Sequence, residues 1–124
     1  MKYWIDMAIY DFESAKAMLE TKRYLYVGFM CHQTIEKILK AYFCKNSSET
    51  PPYTHNLTKL AKLSSLYEEF LDEQKDFLDL LEPLNIEARY PSDKELLLKS
   101  LNEQKCSELI KETEELLLWI KAKL

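Results

Sequence analysis

Apolar residues recur at the spacing of an α-helix along nearly the whole chain, and that period restricts the fold more than any other feature. At about 100° per residue, Trp4, Ile5, Ala8, Phe12, Ala15, Met18 and Leu19 fall on one arc, which predicts an amphipathic helix from about Tyr3 to Glu20. Lys22 and Arg23 form a short polar turn, and a second helix is predicted from about Tyr24 to Lys45. At the other end, Cys106, Leu109, Ile110, Thr113, Leu116, Leu117, Ile120 and Leu124 share an arc of a last helix.

Breaks in the pattern separate these helices. Asn46-Ser47-Ser48-Glu49-Thr50-Pro51-Pro52 reads as a loop from its polar residues and its prolines. Thr54 has the chemistry of an N-cap for a short helix from His55 to about Leu63. A fourth helix is predicted from about Asp72 to Glu87, kinked or split at Pro83. The tract from Ser92 to Lys99 reads as a surface connection. The last helix is predicted to begin near Ser100, which has capping-box spacing to Glu103. These elements predict an all-α fold: an up-and-down antiparallel bundle of four to five helices, three of them long, in one domain over residues 1–124.

Composition excludes several functions. With 17 Lys and Arg against 21 Asp and Glu, the net charge is −4, unfavourable for general binding of double-stranded DNA. The single glycine, Gly28, rules out a phosphate-cradling loop or a dinucleotide fingerprint, both of which need several. Cys31, Cys44 and Cys106 are odd in number and have no C-x-x-C spacing. They read as free thiols of a cytoplasmic protein, with Cys31 and Cys106 in the core. No signal peptide or long apolar run marks the chain for secretion or for a membrane.

Surplus apolar positions suggest self-association. Phe29 and Phe43 fall beside His32 and Glu36, off the main arc of Cys31, Ile35, Ile38, Leu39 and Tyr42. Leu118 and Trp119 lie off the core arc of the last helix. Surplus apolar surface on a small bundle marks a partner interface, for which a symmetric homodimer is the default.

Two runs carry the functional signal. In the second helix His32, Glu36 and Lys40 recur every four residues, so they rise along one stripe, each about 40° round from the last. Further on, Ala88-Arg89-Tyr90-Pro91 puts an arginine and a tyrosine before a proline, where a helix usually stops. Asp11 falls between Met18 and Trp4, inside the apolar arc of the first helix. A carboxylate there must be paired and hydrogen-bonded, since burying it alone costs several kcal/mol. Lys40, Lys37, Arg89 and His32 are the available cations, and Tyr90 could donate its hydroxyl.

In order and spacing, these residues make the chain resemble the HEPN domain, a helical bundle found in prokaryotes and in the C-terminal part of the animal protein sacsin. The resemblance rests on Trp4, Ala8, Asp11 and Ala15, on His32-Gln33-x-x-Glu36-Lys37-x-x-Lys40-Ala41, on Thr54-His55-Asn56-Leu57, and on Ala88-Arg89-Tyr90-Pro91. It implies a cytosolic, usually dimeric protein that binds nucleotides. Such proteins are often encoded beside a minimal nucleotidyltransferase and act with it in a toxin–antitoxin-like pair. Many relatives are ribonucleases with an Arg-x(4–6)-His motif. Here no histidine follows Arg89, and Arg23 stands nine residues before His32, so the motif is missing.

The resulting expectation is a polar pocket between the first two helices, closed by Arg89 and Tyr90. Lys40 and Arg89 would hold phosphate oxygens, Arg89 in its planar bidentate mode. Tyr90 would stack on a base, and His32 and Gln33 would supply hydrogen bonds. Lys37, further round the polar face, would only solubilise it. His55 opens the short helix, whose N-terminus favours anions. The alternative is that Asp11, His32, Glu36 and their neighbours form structural ion pairs that fix helix register. His32 and Glu36 have a metal-ligand spacing but no third strong ligand, so neither metal nor cofactor is predicted. Two functions compete: a non-enzymatic HEPN subunit that binds a nucleotide or a nucleotidyltransferase, and a metal-independent ribonuclease with His32 as acid or base. A histidine phosphotransfer bundle fits poorly, because Thr34, Ile35 and Glu36 crowd His32.

Overall fold

The computed structural model describes residues 1–124 except for the side chain of Ala88, so the alanine of the Ala88–Pro91 run lies outside the described side chains. Six helices follow in order: α1 (Lys2–Glu20), α2 (Tyr24–Asn46), α3 (Leu57–Leu63), α4 (Asp72–Leu81), α5 (Pro91–Ser100) and α6 (Glu103–Lys121). Single 3-10 turns lie at Tyr67–Glu69, Glu82–Leu84 and Ile86–Ala88, and there is no strand among the described residues. The architecture is an up-and-down helical bundle, as the periodicity predicts.

α1 pairs along α2, α6 packs against both, and α3 lies on α2. The predicted arcs face this common core. Ala8, Phe12 and Ala15 of α1, Cys31, Ile35, Ile38 and Leu39 of α2, and Cys106, Leu116 and Ile120 of α6 are all buried in it. The turn between α1 and α2 is a Schellman motif: Arg23 N–H donates to Met18 O at 2.7 Å, and Lys22 N–H to Leu19 O at 3.0 Å. It places Lys22 at φ 60°, the left-handed region usually given to glycine.

Four details differ from the sequence reading. α3 starts at Leu57, with Asn56 rather than Thr54 as its cap; the Asn56 side chain accepts from Lys59 N–H at 2.9 Å. The fourth helix ends at Leu81, and the chain continues in two 3-10 turns, because Pro83 has no N–H to extend the ladder. Residues 91–100 form α5 rather than an irregular connection: Pro91 sits at N1, where its missing N–H and fixed φ suit a helix start. α6 is capped by Asn102, which accepts from Lys105 N–H at 2.8 Å, while the Ser100 hydroxyl turns back to Leu97 O.

Candidate functional site

Every rung of the α2 ladder is inside the protein. His32 is fully buried, Glu36 is 1% exposed and Lys40 6%, because their stripe faces α1 and the segment entering α3. Glu36 is the hub. Its Oε2 accepts from Lys40 Nζ at 3.1 Å, and its Oε1 lies 2.7 Å from His55 Nδ1. Lys40 Nζ also lies 5.2 Å from the centroid of the Trp4 ring, which adds a cation–π contact from α1. A buried ion pair is tolerable only with such supplementary partners.

His32 points its Nδ1 at Gln33 Oε1, 3.2 Å away, and stands 4.0 Å from Glu36 Oε1. Its Nε2 is buried with no hydrogen-bond partner. Burial holds the imidazole below its usual range, opposed by the Gln33 amide, the Glu36 and Glu82 carboxylates and the His55 backbone. His32 is thus a neutral core histidine rather than an accessible base.

Glu82 completes the cluster from outside α2. Glu82 Oε1 accepts the Leu57 N–H at 2.5 Å, so a carboxylate of the chain itself occupies the start of α3. The α3 N-terminus expected to receive an anion already has one. His55 remains half open, its side chain 41% exposed and its ring edge-on to Tyr53 at 5.7 Å.

The other candidates divide into two places. Asp11 is buried at 7% exposure, as its wheel position requires, and its partner is Lys37, with Nζ 2.7 Å from Oδ2. Lys37 is therefore the cation that makes Asp11 tolerable, not merely a solubilising residue. Arg89 faces the end of α4: its Nε and Nη2 donate to the carbonyls of Pro83 and Glu82, each at 3.2 Å. A cation on the carbonyls that end a helical stretch also favours its dipole. Tyr90 is 78% exposed at the cap of α5, outside both clusters.

Asp11, His32, Glu36, Lys37 and Lys40 line none of the clefts found among α4, α5 and α6; Arg89 borders a shallow one with Pro83, Asp93, Leu96 and Leu97. Where the polar pocket is expected, the structure places the Asp11–Lys37 pair between α1 and α2 and the Glu36–Lys40 pair within α2. No group of three His, Cys, Asp or Glu side chains is arranged to hold a metal among the described residues. Nor is any helix of the described residues long and apolar enough to cross a membrane. Of the extra apolar residues in α2, Phe29 is core at 7% exposure, whereas Leu118 in α6 is 55% exposed. Sequence reasoning missed Glu82, which carries no periodic or motif signal, and the His55–Glu36 contact, whose members were each singled out but lie 19 positions apart with nothing in the sequence to join them.

Comparison with known proteins agrees with the fold. The crystal structure of TT1696 from Thermus thermophilus has the same fold, with a TM-score of 0.82 over 99% of this chain and 97% of that one, at 18% sequence identity. No curated protein matches. The model of the HEPN domain matches residues 1–123, and the chain belongs to the HEPN domain family.

Proposed function

We propose that this chain is a non-catalytic HEPN subunit that acts through partners in the cytoplasm: a second copy of itself and a minimal nucleotidyltransferase, in a two-component system of the toxin–antitoxin kind. The observation that carries the reading is the closure of the polar cluster. Glu36 is occupied by Lys40 and His55, Asp11 by Lys37, and Arg89 by backbone carbonyls. Groups engaged in this way hold the bundle in register, and Arg89 alone among these cations has no carboxylate partner for its charge. A nucleotide ligand then belongs to the assembled pair rather than to the single chain. Exposed apolar residues support association: Tyr3 and Tyr10, seven positions apart on the outer face of α1, are 62% and 68% exposed.

Light scattering of the purified chain, alone and mixed with a nucleotidyltransferase encoded beside it, tests the proposal. The reading predicts twice the 14.8 kDa chain mass alone and a stable complex in the mixture. A monomer that forms no complex overturns it.

One observation favours a second reading. His55 presents a partly open imidazole whose Nδ1 is held 2.7 Å from a buried carboxylate, the arrangement that orients a general acid or base. A ribonuclease built on this pair would lose RNA cleavage in His55→Ala. Wild-type protein without cleavage removes this reading.

A further inference from the structure

Three clefts along α6, two against α4 and the largest also against Leu84 and α5, meet at one residue, Glu112. The largest, about 420 Å³, has Leu80, Leu84 and Leu109 among its walls; the next, about 310 Å³, ends on Phe77, Leu116 and Trp119. A third shares Phe77, Leu80 and Glu112 with them, so the three form one apolar trough. From Lys105 to Trp119 the α6 wall is about 21 Å long at 1.5 Å per residue.

Acids rim both sides of the trough along its Phe77–Trp119 part, whereas in the largest cleft Glu108 and Glu112 of α6 stand beside Lys105 and face Leu97, Ser100 and Leu101. Glu108, Glu112 and Glu115 follow one stripe of α6, and Glu73 and Asp76 stand on α4. None of the five is in an ion pair among the described residues. The Glu112 carboxyl is pushed up by burial and by the nearby Glu115 and Glu108 charges, with Lys111 opposing. An apolar floor between two rows that hold five acids against Lys105 and Lys111 has a specific complement.

We infer that the α4–α6 trough docks a basic amphipathic helix of a partner protein, with an apolar stripe on Leu80, Phe77 and Leu116 and flanking Lys or Arg against the two acidic rows. Nucleic acid and anionic lipid are repelled by the same rows. A second copy is a poor occupant through its exposed α1 stripe, because Tyr3 and Tyr10 are followed there by Asp6 and Glu13. The inference rests on the partner reading above, but its probe needs no nucleotidyltransferase, so the two fail separately: a chain that takes the probe but no nucleotidyltransferase keeps the trough and loses the named partner.

The test is an amide NMR titration of the full chain with a synthetic Leu/Lys amphipathic helix of about 14 residues, long enough to line the trough. A Leu/Glu version of the peptide is the control. The expected result is saturable shifts on α4 and α6 with the basic peptide only. Binding should weaken about tenfold as salt rises from about 0.05 to 0.3 M, because screening shortens the reach of the acids. It should be lost in the Glu108→Gln/Glu112→Gln/Glu115→Gln variant, whose amide spectrum away from α6 reports that it is folded. No saturable shift, shifts spread over other acidic faces, or undiminished binding by that variant overturns the inference. So do the same shifts produced by concentrating the protein alone, which would assign the trough to a second copy.

Discussion

Glu36→Ala is the perturbation that should weaken this bundle most among the polar residues of α2. The substitution leaves the Lys40 ammonium, 6% exposed, with only the Trp4 ring for company. Removing one partner of a buried pair costs about 3–5 kcal/mol, because the remaining charge is uncompensated. The lost His55 contact adds less than about 1 kcal/mol, since that imidazole is partly in water. Some of the cost returns if Lys40 swings its amine outward, so we expect a net loss of about 3–4 kcal/mol. For a chain of this size about 3–5 °C of Tm accompanies each kcal/mol, giving a fall of about 10–20 °C. Urea unfolding should show the midpoint falling with the slope unchanged. Lys40→Met should rescue a large part of the loss, with a coupling energy above about 2 kcal/mol, because it removes the stranded charge. A single-variant loss below about 1 kcal/mol, or strictly additive losses, would refute the reasoning.

Three further outcomes follow from the same structure. The His32 imidazole is held below the ordinary 6.5, so the unfolded chain binds its proton more readily than the folded one. Its contribution is intact above pH 6.5 and is lost as pH falls from there through the folded value, so unfolding free energy measured across that window should drop, and His32→Gln should flatten the slope. Lys22→Gly relieves a left-handed φ of 60° at the α1–α2 turn, and thermal unfolding should report a gain of up to about 1 kcal/mol. Burial pushes the Cys31 thiol up to about 12 and Cys106 up to about 11, so a thiol reagent at pH 8 should label the half-buried Cys44 in native protein and reach the other two on unfolding.

The parts of this molecule that are legible in sequence are those where burial repeats with a helical period. α1 and α6 each bury one arc, so their apolar spacing reports them directly, whereas α2 is buried round most of its circumference, with its polar stripe inside as well. α5 buries no residue and leaves Leu96 and Leu98 exposed, so it has no such period; its start at Pro91 was readable only as an end of the preceding helix. The caps of α3 and α6 fall two residues past the predicted ones, since Thr54, Asn56, Ser100 and Asn102 all have the right chemistry and only tertiary placement decides among them.

In the candidate site, the demand for a partner at Asp11 is a local property of its helix and was legible. The identity of that partner was not. Lys37 stands about 60° round the wheel from Lys40, but its long side chain reaches back across that difference, and packing gives Lys37 to Asp11 and Lys40 to Glu36. Arg89 shows the same limit: a motif residue that suggests phosphate binding is spent on the carbonyls of its own chain.

The most direct measurement of the central claim is an amide NMR titration of the isolated chain with ATP, AMP and a short RNA, followed at Gln33, Lys37, Lys40, His55 and Arg89. The account, in which Lys37 is paired with Asp11, Lys40 and His55 with Glu36, and Arg89 is bonded to backbone carbonyls, predicts no saturable shifts at millimolar ligand. Saturable shifts converging on those residues would contradict it and make the single chain a nucleotide-binding protein in its own right.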